Sequence, residues 1–270
     1  MTTLKPMAMA LFCAAALLAL SPAGASALTG REIVKEQQTR HESRSEVTLS
    51  TMVVESRPGD ARTRRLVVQT DKDANNASRS LLKYLEPRDI RNVGLLTWQQ
   101  PGDADDDQWM YLAASGQTKR IVGGAKKNAF MGTDLAFEDM RPEDMEVHDY
   151  TLTGEETVDG QATWVIEAVP STEAEKRDSG YAKRIFWIRQ DNYMTVRTSF
   201  RDRRDRELKT ATVENLEHIS GDMWRGNRTV YTTVRSGSVT TSTVDSRNIG
   251  VKLPEADFLP QNIDRRPKYR

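Results

Sequence analysis

The residue types that most often bind metal ions or transfer protons are widely spaced in this chain. His41, His148 and His218 lie far apart, and none has a neighbour at the spacing of a metal site. We interpret all three as surface histidines. Carboxylates are abundant, but no pair stands out, and the sequence contains no nucleophile elbow, phosphate loop or dinucleotide fingerprint. The pattern predicts a protein that is not an enzyme and that needs neither a metal nor another cofactor.

One acidic run imitates a calcium-binding loop. Asp103, Asp105 and Asp107 match the first alternating ligands of such a loop. However, Gln108 stands where the loop needs glycine, and Ala114 stands where it needs a bidentate glutamate. We therefore reject a calcium site and interpret the run as a solvated hairpin tip.

The first 27 residues predict export. Lys5 precedes an apolar run from Met7 to Leu20, and Ala25-Ser26-Ala27 is a small-x-small cleavage site, so residues 1–27 are interpreted as a cleaved signal peptide. The run of about 14 residues is short for a membrane span, which needs about 20, although an uncleaved anchor is the alternative. Cleavage would remove Cys13, the one cysteine, and leave no thiol chemistry.

Charge and hydropathy along the rest of the chain exclude two classes of partner. Over the whole chain, 39 basic residues balance 39 acidic ones, so no basic domain points to nucleic acid. No later apolar stretch reaches the length of a membrane span, so no integral membrane segment is expected after cleavage.

After the leader, a short helix is followed by strands. Thr29-Gly30-Arg31-Glu32 fits a capping box and predicts a helix over residues 29–41. Short β-rich runs, separated by turn residues at roughly even spacing, then predict one mainly β domain over residues 28–270, an antiparallel sandwich or barrel. The predicted strands are Val47–Val54, Leu66–Thr70, Ser80–Leu85, Leu95–Gln99, Gln108–Ala113, Lys119–Val122, Tyr150–Gly154, Thr163–Val169, Lys183–Arg189, Thr195–Arg201, Leu208–Leu216, Arg228–Arg235 and Ser238–Ser246.

Several strands carry bulky side chains on both faces, as where Trp109 and Tyr111 alternate with Met110 and Leu112. An antiparallel sheet covered on one side only would have polar residues on the other. The sheet is therefore covered on both faces, or its concave face lines an apolar cavity. The aromatic candidates for the wall of such a cavity are Trp98, Trp109, Tyr111 and Trp164; ordinary core packing is the alternative.

Residues 123–140 concentrate apolar side chains outside the strands. Thr133 or Asp134 could cap a short helix from Leu135 to Met140. We predict that Phe130, Met131 and Phe137 fill the mouth of the cavity, either as a mobile gate with hinges at its glycines or as a fixed plug.

Several of these motifs resemble one family. Three stretches are similar to successive motifs of the outer-membrane lipoprotein-sorting proteins, the LolA/LolB-like carriers. They are Asp107-Gln108-Trp109-Met110-Tyr111-Leu112, Lys119-Arg120-Ile121, and Phe130-Met131-Gly132-Thr133-Asp134 with Phe137-Glu138-Asp139. More narrowly, they resemble the branch associated with RND-type (MMPL-like) exporters. The resemblance implies an unclosed antiparallel β-barrel with an N-terminal helix and a short helical lid, enclosing a hydrophobic cavity for acyl chains.

The resemblance also implies a function. It indicates a periplasmic carrier that binds lipid or lipoprotein acyl chains and passes them between an inner-membrane exporter of the RND/MMPL type and the outer membrane. Ligand contacts are then expected from Trp98, Trp109, Tyr111, Phe130, Met131, Phe137 and Trp164. The alternative is a β-rich periplasmic adaptor or accessory protein of such an exporter that carries nothing.

Overall fold

A computed structural model of the chain describes residues 1–2, 28–102 and 104–269. The predicted signal peptide lies almost entirely outside the described residues. The described strands are β1 Ser45–Glu55, β2 Ala61–Lys72, β3 Ser78–Glu86, β4 Gly94–Trp98, β5 Asp107–Leu112, β6 Gln117–Ile121, β7 His148–Val158, β8 Gln161–Pro170, β9 Lys183–Arg189, β10 Thr195–Arg201, β11 Glu207–Ser220, β12 Met223–Thr233 and β13 Val239–Ile249. The helices are α1 Gly30–Arg40 and α2 Glu173–Asp178, with 3₁₀ helices at Gly123–Lys127, Phe137–Met140, Glu255–Phe258 and Pro260–Asn262.

All 13 strands form one antiparallel sheet. Its order is β6-β5-β4-β3-β2-β1-β13-β12-β11-β10-β9-β8-β7, so the first and last strands of the chain pair in the middle. β6 and β7 are the two free edges, and the connection between them, residues 122–147, is named the plug segment. The mainly β, antiparallel fold predicted from the strand pattern is confirmed, as is the unclosed sheet that the family resemblance implies, and each predicted strand corresponds to an observed one.

Helix α1 begins as its sequence predicts. The Thr29 hydroxyl accepts a hydrogen bond from the backbone N–H of Glu32, and the Glu32 carboxylate accepts one from the backbone N–H of Thr29. Ile33 and Val34 are buried and pack on β7, β8 and β9. The helix approaches β7 closely at Gly30, where a Cβ atom would lie 2.7 Å from the backbone nitrogen of Leu152. The missing side chain at Gly30 therefore permits docking.

The strands present two covered faces. We call the face under α1 and the plug segment the inner face; α1 covers β7–β9, and plug residues Phe130 and Phe137 pack over β1–β4. The opposite, outer face of β1–β5 is covered by residues 250–269, named the tail segment, through Leu253, Phe258 and Ile263. Two covers explain why these strands carry bulk on both sides.

No helix in residues 28–102 or 104–269 is long and apolar enough to cross a membrane.

Candidate functional site

The two inner-face covers leave a gap over the middle strands. This gap, the central cavity, has a volume of about 380 Å³. It is lined by Glu46, Thr48, Ser50, Met52, Leu66, Val68, Thr70, Leu82, Leu135, Met140, Thr229, Tyr231, Thr240, Ser242, Val244 and Arg247. A larger groove of about 880 Å³ runs along α1 and shares Glu46 and Thr70 with the cavity, so the two spaces adjoin.

The two walls of the central cavity differ in chemistry. Strands β1–β3 and the plug segment supply an apolar wall of Met52, Leu66, Val68, Leu82, Leu135 and Met140. Strands β1, β12 and β13 supply hydroxyl groups, including those of Thr48, Ser50, Thr229 and Ser242. The register aligns Ser242 with both Met52 and Thr229, so the two kinds of wall meet along β1 and β13.

A charged cluster lies at one end of the cavity. The Glu46 carboxylate accepts hydrogen bonds from Nε of Arg225 at 2.9 Å and from Nε of Arg247 at 2.8 Å. All three side chains are at most 16% exposed. Glu217, which is more exposed, lies 3.7 Å from Arg247. Two arginines therefore face two carboxylates, and the charges of this cluster balance.

Asp134 fastens the plug segment to the β12–β13 end of the sheet. Its carboxylate accepts hydrogen bonds from the hydroxyls of Thr233, Ser238 and Thr240. The prediction that Asp134 or Thr133 caps a helix is wrong. The Asp134 carboxylate binds the hydroxyls of the sheet instead, and the Thr133 hydroxyl donates back to the carbonyl of Phe130. The helix expected from Leu135 is a 3₁₀ turn over Phe137–Met140.

Asp139 and Lys209 form a second fastening. The Lys209 ammonium donates to the Asp139 carboxylate and, at 3.0 Å, to the carbonyl of Asp134. The side chains of Lys209 and Asp139 are 7% and 3% exposed. The Lys209 nitrogen also lies 4.8–5.7 Å from the ring centres of Tyr181, Phe200 and Tyr231, so cation–π attraction adds to the ion pair.

On the other side, the plug segment is attached to β2, β3 and β5. Arg64 donates to the carbonyl of Met131 at 2.9 Å, and Gln108 donates to the carbonyl of Phe137 at 2.9 Å. Phe130 is fully buried, with its ring 6.0 Å from that of Tyr84 and 5.5 Å from that of Phe137. The plug segment therefore bridges strands on both sides of the central cavity.

The structure separates the seven aromatic and apolar candidates into three groups. Phe130, Met131 and Phe137 lie together in the plug segment. Trp164 lies on the inner face under α1.

The remaining candidates, Trp98, Trp109 and Tyr111, lie on the outer face under the tail segment. Trp98 donates to the carbonyl of Phe258 at 2.8 Å and packs edge-on against Trp109 at 5.0 Å. These three residues pack in one cluster with the tail segment, and none of the seven candidates is among the residues that line the central cavity.

We expect Trp109→Ala to lower the free energy of unfolding by about 3 kcal/mol, the low end of the usual cost, since a large but only partly buried ring is removed from its packing. Lipid binding should be unchanged in the fraction that remains folded, because Trp109 is on the face opposite the cavity. Chemical denaturation and a binding titration at low temperature check both parts. A reduced affinity with unchanged stability would contradict this placement.

The interpretation of His148 as a surface residue is wrong. It is 5% exposed, its Nδ1 lies 3.0 Å from the carbonyl of Asp144, and its Nε2 lies 2.9 Å from Arg184. Arginine can only donate, so Nε2 accepts and Nδ1 carries the proton. Burial, with the Arg184 charge second, lowers the pKa of His148. Arg184 also donates to the Glu143 carboxylate from both terminal nitrogens. His148 therefore belongs to a buried network at the C-terminal end of the plug segment.

The acidic run after β4 is also less solvated than expected. Asp106 is 4% exposed and accepts a hydrogen bond from the backbone N–H of Gln100. Burial raises the pKa of Asp106 to about 6. Asp105 pairs with the buried Lys126 of the plug segment. Within the described residues, no group of three histidine, cysteine or carboxylate side chains is placed to hold a metal ion.

The hydroxyl wall and the Glu46 cluster were not among the candidates taken from the sequence. One signal for the hydroxyls exists, because Thr48 and Ser50 occupy inward positions between Glu46 and Met52 of an alternating strand. Polar residues at inward positions indicate a space that the protein does not fill. No sequence signal pairs Arg225 and Arg247 with Glu46.

Comparison with known proteins identifies a family to which the chain belongs. A family model described as "Uncharacterized protein" matches residues 76–265, more than half of the chain. No curated protein matches the chain.

Three solved structures share the fold. A lipoprotein-sorting protein domain from Vibrio parahaemolyticus is 26% identical, with a TM-score of 0.82 over 87% of this chain and 98% of that one. A DUF1329 family protein from Desulfovibrio piger is 26% identical, with a TM-score of 0.81 over 87% of this chain and 97% of that one. A LolA superfamily protein from Nitrosomonas europaea, at 19% identity and a TM-score of 0.67 over 86% and 98% of the two chains, shares the fold. The chain therefore belongs to the family of the matching model, and its fold is that of a lipoprotein-sorting domain and a LolA superfamily protein, in line with the resemblance of its motifs.

Proposed function

We propose that this protein is a periplasmic carrier that binds lipid, or the acyl chains of a lipoprotein, in the central cavity. The single observation that carries the proposal is that cavity of about 380 Å³, which has an apolar wall and lies between two covers of the inner face. Its volume lies within the range of about 300–1,000 Å³ that is usual for small-ligand sites. The similarity to a lipoprotein-sorting domain supports the same function.

Such a carrier needs binding energy and no catalytic group. Burial of a methylene group contributes about 0.8 kcal/mol, so ten methylenes would contribute about 8 kcal/mol before ordering costs. The adjoining groove along α1 gives cargo a second surface of contact. We further propose that an inner-membrane exporter of the RND/MMPL type supplies or receives the cargo, with the outer membrane at the other end of the route.

Filling the cavity should abolish cargo binding. Ser242 on β13 faces the cavity, and Thr243 follows it on the opposite face of the same strand. We expect that lipid co-purifies with the wild-type protein and with Thr243→Phe, whereas Ser242→Phe, whose ring occupies the space, loses it. Lipid extraction from gently purified protein and mass spectrometry measure the difference.

The outcome separates the carrier from the alternative. A wild-type protein that carries no lipid and takes up no fluorescent fatty-acid probe would contradict the carrier and favour the exporter adaptor. Equal lipid content in Ser242→Phe and Thr243→Phe would show that cargo binds elsewhere, for instance in the groove along α1.

A further inference from the structure

The serine and threonine hydroxyls in and around the central cavity fall into two sets. Thr233, Ser238 and Thr240 are used by the protein itself, since all three donate to Asp134. By contrast, four serine and threonine hydroxyls line the cavity and, like the phenol of Tyr231, have no hydrogen-bond partner in residues 28–102 and 104–269. They belong to Thr48, Ser50, Thr229 and Ser242.

These four side chains lie on adjacent strands. Ser242 pairs with Thr229 across β13 and β12, and Thr48 and Ser50 lie on β1, the other neighbour of β13. Solvent reaches the oxygens of these hydroxyls, since none of them is fully buried. A ligand made only of hydrocarbon would strip water from these hydroxyls and replace it with nothing, which opposes binding.

The charged side chains next to the cavity are already paired with one another and do not favour a charged ligand. Glu46 is hydrogen-bonded to both Arg225 and Arg247, and Arg247 also donates to Asn227 and to the carbonyl of Gly226. With Glu217 near Arg247, two positive charges meet two negative ones. An anionic group would have to displace a carboxylate that is already held by two arginines.

We propose that the central cavity selects an uncharged lipid whose hydroxyl or ester oxygens enter it and bond to the wall formed by Thr48, Ser50, Thr229 and Ser242. The hydrocarbon part lies against the adjoining apolar wall, of which Met52, Leu66 and Met140 are part. This inference rests on the proposed carrier function and specifies the chemical class of its cargo.

Four probes with the same ten-carbon chain test the selection. They are decane, 1-decanol, sodium decanoate and 1-monodecanoylglycerol, each measured by equilibrium dialysis against the full mature chain. We expect monodecanoylglycerol to bind most tightly, because each hydrogen bond to the wall contributes about a fivefold gain in affinity. Decane and decanoate should bind at least about tenfold more weakly.

Variants of the wall connect the preference to named residues. The double variant Ser242→Ala/Thr229→Val should lower the affinity for monodecanoylglycerol by about tenfold or more and leave that for decane unchanged or higher. Thr243→Val, on the opposite face of β13, is the matched control and should behave as wild type. Thermal unfolding confirms that each variant is folded.

The possible failures are distinct. Equal binding of decane and monodecanoylglycerol, or a preference unaffected by the double variant, would overturn the selection and leave the carrier intact. Tightest binding of decanoate would overturn it in favour of an anionic cargo. No binding of any probe, together with no co-purified lipid, would overturn the proposed function itself.

Discussion

Lys209→Met should lower the free energy of unfolding by about 3–5 kcal/mol, the usual loss when one partner of a buried ion pair is removed. Lys209 and Asp139 are both nearly inaccessible, so the Asp139 carboxylate would stay buried without its cation. The remaining donors to Asp139, the Tyr181 hydroxyl and the backbone N–H of Ala136, satisfy hydrogen bonds but do not neutralise the charge. Equilibrium denaturation, with the slope of the transition compared between variants, measures the change.

Two further variants make the Lys209 result specific. Lys176 pairs with Glu173 on the surface of α2, where the two side chains are 50% and 89% exposed. Lys176→Met should therefore have an effect too small to resolve by denaturation. Lys209→Met/Asp139→Asn removes the unpaired charge and should recover part of the lost stability. If Lys209→Met costs no more than Lys176→Met, the buried pair does not stabilise the attachment of the plug segment.

The sequence predicts the strands well for a physical reason. Alternation of apolar and polar residues, with turn residues between the runs, depends on neighbours within one strand, and so does the capping box at Thr29. The observed elements therefore lie close to the predicted ones. The pairing of β1 with β13 could not be predicted in this way, because nothing in either strand encodes a contact between residues nearly 200 positions apart.

The site was harder to predict because it depends on what covers each face. Trp109 and Met110 are both large, so alternation in β5 could not tell which residue faces inward. The answer depends on the tail segment, whose Phe258 and Ile263 cover the outer face. The buried position of His148 likewise depends on Arg184 and Glu143, which come from another strand and from the plug segment.

The contacts of the plug segment bear on whether it opens. A mobile gate hinged at the glycines would have to break the bonds of Asp134 on one side and those of Arg64 and Gln108 on the other. Breaking all of these hydrogen bonds at once costs free energy, and segments that are costly to open are among those best protected from hydrogen exchange. These contacts favour a plug that stays in place while cargo enters beside it. The alternative, a gate that opens for cargo, is tested by hydrogen exchange of the plug segment.

Asp134→Ala should loosen the plug segment and leave the sheet intact. The substitution removes a charged acceptor that holds three hydroxyls from the β12–β13 end of the sheet. Hydrogen bonds to a charged group are worth about 1.5–3 kcal/mol each, and water replaces part of this loss. We therefore expect amides of residues 128–140 to exchange about 100-fold faster, which corresponds to about 2.7 kcal/mol. Amides of β1–β3 serve as the internal control and should exchange as in the wild type.

Asp134→Asn is the matched variant, since its amide keeps one acceptor oxygen and the hydroxyls can reorient to accept from its nitrogen. Its exchange should lie between those of wild type and Asp134→Ala. The same experiment, repeated with and without a bound lipid probe, distinguishes plug from gate. Slow exchange of residues 128–140 in both states of the wild type would exclude a gate that opens for cargo. Faster exchange of residues 128–140 with the probe bound, while β1–β3 remain unchanged, would show that the attachment at Asp134 releases during binding, and Asp134→Ala should then load cargo faster than the wild type.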